Sequence, residues 1–123
     1  MYTVLVIDDS ASMRSILKDM INSIEDFEVI AVATDAYDAR EKIKEYEPDL
    51  VTIDINMPKM DGVTFLRNLM RLHPMPAVVI SGESVRGNDI FDDGAVGFIP
   101  KPNSGEPMSN FEARRKDTLL NLT

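Results

Sequence analysis

The sequence contains no cysteine, which excludes disulfide frameworks and thiolate metal sites and permits a reducing compartment. It contains a single histidine, His73, far along the chain from the acids near positions 8 and 54, so zinc and iron centres are poor matches. No apolar run is longer than a few residues, and nothing is long enough to span a bilayer. No basic segment precedes the first apolar run. Met1-Tyr2-Thr3-Val4 leads directly to Asp8-Asp9, unlike a secretory leader. Gly-x-Ser-x-Gly, the nucleophile elbow of esterases, is missing too. Basic charge is scarce: 13 Lys and Arg against 21 Asp and Glu give a net charge of −8, which argues against direct nucleic-acid binding.

What remains is an ordinary globular composition, 44% hydrophobic and 28% charged over 123 residues, enough for one domain, 1–123, with a real core. Thr3 to Ile7 is a short β-branched run stopped by charge, as in a strand buried on both faces. Ser12 is placed to cap a helix whose apolar face is Met13, Ile16, Leu17, Met20, Ile21 and Ile24. Phe27 to Ala33 reads as a second strand, and Asp35 caps a helix from Ala36 to Tyr46 that stops before Pro48. Leu50 to Ile53, Ala77 to Ile80 and Val96 to Ile99 read as further strands. Between them, the turn-like Met57 to Gly62 opens a helix carrying Val63, Leu66, Leu69 and Met70, with His73-Pro74 beyond its end. The polar stretch Gly82 to Asp93 has room for a short helix only. Ser109-Asn110-Phe111-Glu112 has capping-box form and opens a last helix toward Leu122.

Five strands alternating with helices predict an α/β fold: a parallel sheet with helices on both faces. Five such units match a known order of doubly wound sheets, the flavodoxin-like 2-1-3-4-5.

In such sheets, ligands bind at the carboxyl ends of the strands. Asp8-Asp9, Asp54, Ser81 and Lys101 all fall there. Singly, each is most often a solvated loop or turn residue. Together they supply carboxylates, a hydroxyl and an ammonium around one pocket. Two carboxylates ~4 Å apart repel by roughly 4 kcal/mol at an effective dielectric near 20, which a hard dication relieves. Magnesium prefers such oxygen ligands, with manganese as a substitute. A metal near-neutralised by acids has no need of Lys101, whereas a phosphoryl group does. One carboxylate is then free to act as nucleophile and form an aspartyl phosphate.

These residues resemble the defining set of response-regulator receiver domains. The run Ile53-Asp54-Ile55-Asn56-Met57-Pro58-Lys59-Met60-Asp61-Gly62 is a specific receiver signature. The stretches Asp8 to Arg14 and Arg71 to Ser81 are similar to the receiver half of the chemotaxis methylesterase CheB. The resemblance covers essentially the whole chain. It implies a CheY-like fold, with Asp54 as phosphoacceptor. It implies Mg²⁺ held by Asp9, Asp54 and the Asn56 backbone carbonyl, with Asp8 acting through metal-bound water. Lys101 is implied to pair with the phosphoryl group and Ser81 to hydrogen-bond to it, while Phe98 moves inward. It further implies a cis bond between Lys101 and Pro102. The implied phosphodonor is a sensor histidine kinase, CheA-like in a chemotaxis pathway, and the implied output is another domain or a downstream protein. The setting is cytoplasmic two-component signalling by a regulatory domain that catalyses only its own phosphorylation and dephosphorylation. A free-standing CheY-like receiver in another pathway is the alternative.

Two features depart from the family pattern. The spacing from Ser81 to Lys101 is short, so helix four is clipped and carries Asp89, Asp92 and Asp93. Pro100 lacks a ladder donor, so strand five ends or lies unpaired there. A haloacid-dehalogenase-type magnesium phosphohydrolase is a rival, but it wants a second acid two positions after its nucleophile, where this chain has Ser10 or Asn56. Blander readings apply elsewhere: Phe98 as core packing, the methionines as gap-fillers, His73 as a helix-end residue, and Arg114-Arg115-Lys116 as a solvated helix face.

Overall fold

The side chains of β1 (Tyr2–Ile7) alternate between two separate cores, and the architecture follows from that alternation. Val4 and Val6 pack with Leu17, Met20 and Ile21 of α1 (Ala11–Asn22). Leu5 and Ile7 pack with Ala39 and Ile43 of α2 (Ala36–Tyr46) and with Phe65 and Leu66 of α3 (Gly62–Leu72). β2 (Phe27–Ala33), β3 (Leu50–Asp54), β4 (Ala77–Ser81) and β5 (Gly97–Pro100) complete a five-stranded sheet in the order β2-β1-β3-β4-β5. Every strand pair is parallel. The expected 2-1-3-4-5 order is therefore observed. This computed structural model describes residues 1–55, 59–81 and 93–100, with Ser81 and Pro100 described by their backbone. The clipped helix four and the last helix lie outside the described residues.

Fully buried Leu5, Ile7, Ile53 and Ile80 explain why these strands read as continuous apolar runs, since each such side chain contributes about 1.5–3 kcal/mol on burial. β2, at the sheet edge, behaves differently. Val4 pairs with Val29 but Leu5 pairs with Ala31, so Ile30 is an extra residue and the strand changes phase. Before the irregularity Phe27 and Val29 face the α1 side. After it Ala31 and Ala33 face the other.

Two local assignments are corrected. The cap of α1 is Ser10, not Ser12: Ser10 is extended, at φ −88° and ψ 119°, and its Oγ accepts from the Met13 amide at 3.3 Å. Ser12 lies inside the first turn. Asp93, assigned to the clipped helix, instead stands in the turn that leads to β5, where it accepts from Arg67 Nε at 2.9 Å. Of the two expectations for Pro100, the first holds: β5 ends at this residue, which stands in register with Ser81. An edge strand tolerates it, since one side of the ladder has no partner to satisfy. The expected ends of α2 and α3 hold. Asp35 accepts from the Asp38 amide at 2.8 Å, and His73 closes the end of α3.

Candidate functional site

β1 and β3 are neighbours, with Ile7 opposite Ile53, so the residues that follow each strand emerge side by side at the carboxyl edge. Asp8 is buried just past β1, Asp9 is exposed beside it, and Asp54 is buried as the last residue of β3. One carboxylate oxygen from each lies within 4.8 Å of the others. The three expected acids thus form a single cluster. At that separation each pair of charges repels by ~3 kcal/mol at an effective dielectric near 20.

The backbone around the cluster fixes its shape. The Asp8 amide donates to Ala33 O at 3.0 Å, and its carboxylate accepts from the Ser10 amide at 2.9 Å. Arg14 Nη1 donates to the Asp8 carbonyl at 2.7 Å. On the β3 side, the Gly62 amide donates to Ile55 O at 2.8 Å. A Cβ at Gly62 would stand 2.6 Å from both the Asp54 carbonyl oxygen and Ile55 Cα, so only glycine admits this approach.

The ends of two helices flank the site. Asp35 at the start of α2 has its carboxyl held below the usual value, first by the hydrogen bond from the Asp38 amide and further by Lys59, 3.3 Å away. Asp61 at the start of α3 is likewise held low, first by the Thr64 amide, which donates to it at 2.9 Å. Lys59 sits at φ 71°, a left-handed conformation that costs a non-glycine residue roughly 1 kcal/mol or more. Its contact with Asp35 ties this turn to α2.

The remaining expected residues fall as follows. Ser81 ends β4 at the same sheet edge, one residue past the Ile80 that pairs with Asp54. Phe98, opposite Val79 in β5, is half-buried and packs against the core shared with α2 and α3. Asn56, Lys101 and Pro102 lie outside the described residues. Arg14 and Gly62 were not singled out from sequence as shaping the site. Arg14 reaches back six residues, and Gly62 looks like one more turn glycine until β3 and α3 are brought together.

The donor set suits a hard dication: three carboxylates, with no nitrogen or sulfur among them, two buried and one open to solvent. No helix among the described residues is long and apolar enough to cross a membrane.

A family model, that of the response regulator receiver domain, matches residues 4–110. The protein-glutamate methylesterase/protein-glutamine glutaminase of Hydrogenovibrio crunogenus is 53% identical over 103 residues, which is 80% of this chain and 27% of that protein. Its Hahella chejuensis counterpart is 53% identical over 105 residues, 82% of this chain and 29% of its own. The match thus spans under a third of these relatives. Among solved structures, the response regulator domain of Thermotoga maritima CheB superposes with a TM-score of 0.83 at 35% identity, covering 98% of this chain and 92% of that one. A chain of the CheX–CheY–BeF3–Mg²⁺ complex from Borrelia burgdorferi reaches 0.85 at 32% identity, covering 98% and 88%.

Proposed function

Since this chain belongs to the response-regulator receiver family, we propose that it accepts a phosphoryl group on Asp54 and switches shape in response. The observation that carries this reading is the meeting of Asp8, Asp9 and Asp54 within 4.8 Å at the end of the two central strands. Three acids so close need a cation, and a cation so placed leaves Asp54 beside a site for an anionic substrate.

Asp9, Asp54 and the Asn56 carbonyl would hold Mg²⁺, with Asp8 acting through a metal-bound water; when bound, the ion supplies positive charge for the phosphoryl oxygens. An Asp54 carboxylate oxygen forms the new bond to phosphorus. The bond from phosphorus to the donor's imidazole nitrogen breaks, and that nitrogen recovers a proton. The Lys101 ammonium pairs with a phosphoryl oxygen, the Ser81 hydroxyl donates to another, and Phe98 moves further inward as β4 and β5 adjust.

The donor is a CheA-like sensor histidine kinase and the setting is cytoplasmic chemotaxis signalling. The sequence identity to the methylesterases supports that reading. Here 1–123 is a receiver domain and acts as a regulator, turning over no external substrate. Its output is another domain or a separate downstream protein.

The test is intact-mass spectrometry after incubation with acetyl phosphate and magnesium. Wild type should gain one phosphoryl group, and Asp54→Asn none. Equal labelling of the variant would overturn the assignment.

A further inference from the structure

We propose that the seam between α2 and α3 is a docking groove for an acidic peptide segment of a partner protein, one that presents a bulky apolar side chain. The inference is independent of phosphoryl transfer. A cavity of about 380 Å³ opens between the two helices, on the side of the sheet opposite α1. That volume falls within the range of clefts that hold ligands.

The floor is apolar. Ile43, Phe65 and Leu69 belong to the buried core, and half-buried Met60 adds an adaptable thioether. The lips are apolar as well, yet open to water: Tyr37 on α2 is 53% exposed and Leu72 at the end of α3 is 71% exposed. Isolated exposed hydrophobics carry no message, but these two border one continuous apolar cleft, which is how interaction sites look.

Charge selects the occupant. Among the described residues, the ionisable ones that line the groove besides Tyr37 are Arg40, Lys44 and His73, and no acid lines it. This is unexpected in a chain with 21 acids and 13 Lys and Arg. Elsewhere the acid excess is used: Lys42 pairs with Asp38, Lys59 with Asp35 and Arg67 with Asp93. Arg40 and Lys44 make no ion pair among the described residues. They stand four positions apart on one helix face, where like charges repel. Carboxylates from a partner would relieve that repulsion while an apolar anchor fills the floor. This is the helix-in-groove mode of recognition with a charged rim. A small anion alone would leave the floor unused, and a nucleic acid would meet a molecule of net charge −8.

The test begins by panning a random 12-residue peptide library displayed on phage against the full chain. Enriched peptides are then synthesised and their binding followed by fluorescence anisotropy. The selected sequences should carry net negative charge and at least one Leu, Met, Phe or Trp. Binding should weaken roughly tenfold or more in an Arg40→Glu/Lys44→Glu variant and fall further as salt rises. Leu72→Asp, at an exposed position, should weaken it independently, while Lys18→Glu on α1 should leave it unchanged. Far-UV circular dichroism would verify that each variant is folded. Enrichment of neutral or basic peptides, no enrichment at all, or equal binding by the charge-reversed variant would overturn the proposal. So would a concentration-dependent dimer abolished by Leu72→Asp, since the occupant would then be a second copy.

Discussion

Arg14 Nη1 donates to the backbone carbonyl of Asp8 at 2.7 Å, so a guanidinium stands against the loop that carries two of the three clustered acids. The contact does two things: it anchors the β1–α1 turn, and it places a fixed positive charge beside a strongly negative site.

Replacing Arg14 by Met should therefore separate the two effects. The metal-free protein should lose roughly 1 kcal/mol of stability, because a charged hydrogen bond to a half-buried carbonyl is removed. Magnesium should then raise the melting temperature of the variant by more than it raises that of wild type, since the bound ion no longer competes with a resident cation. Melting curves with and without millimolar magnesium measure both. A smaller magnesium increment in the variant would show that anchoring outweighs charge.

Gly62→Ala should damage stability and chemistry together. The added methyl would meet backbone atoms on two sides, at 2.6 Å, and backbone cannot swing away as a side chain can. Overpacking of this kind costs about 1–3 kcal/mol. Because one of those atoms is the Asp54 carbonyl oxygen, labelling by acetyl phosphate should slow as well. Urea denaturation and the labelling rate, measured on the same preparation, test this. A variant that unfolds like wild type but labels slowly would place the effect in geometry alone.

Thr52→Val should be neutral or stabilising. Thr52 is buried in β3, paired with Val6 on one side and Val78 on the other, and among the described residues its hydroxyl has no hydrogen-bond partner. An unsatisfied buried hydroxyl carries a desolvation penalty of about 1–3 kcal/mol, and valine has nearly its shape. The urea midpoint should rise or hold. A clear fall would reveal a partner for that oxygen.

Asp35→Asn should flatten the acid limb of the stability profile. The folded protein holds the Asp35 carboxyl below its ordinary 3.8. Its contribution is thus present above pH 3.8 and disappears as the pH drops through the lower folded value. Asparagine caps helices nearly as well, so the two proteins should differ little when neutral. Their denaturation free energies should approach each other further as the medium is acidified toward pH 3. A gap that widens with acid would contradict the sign.

Much of this was legible in the sequence. Strand runs such as Val4 to Ile7 and Val78 to Ile80 are buried on both faces, so their signal needs no knowledge of neighbours. The acids were legible because the strands ending in them are short and parallel, and a parallel sheet delivers such ends to one edge. Other features depend on contacts that spacing does not encode. Ser10 and Ser12 are both plausible caps on composition, and the choice rests on which residue is extended. The phase change at Ile30 follows from pairing with β1. Pro100 reads as a strand end and is one, but that it still stands in register with Ser81 follows only from its place on an edge strand. Arg14 and Gly62 act on the site through backbone atoms, which carry no residue-specific signal.

The central pairing of β1 with β3 has a temporal meaning. Asp8 and Asp9 leave the ribosome early, whereas Asp54 follows only after α1, β2 and α2 have been made. A nascent or proteolysed chain that stops at α2 would own two of the acids and no place for them to meet a third. An ion held by all three acids would therefore require the paired ends of β1 and β3, and a product that stops at α2 could not assemble that cluster.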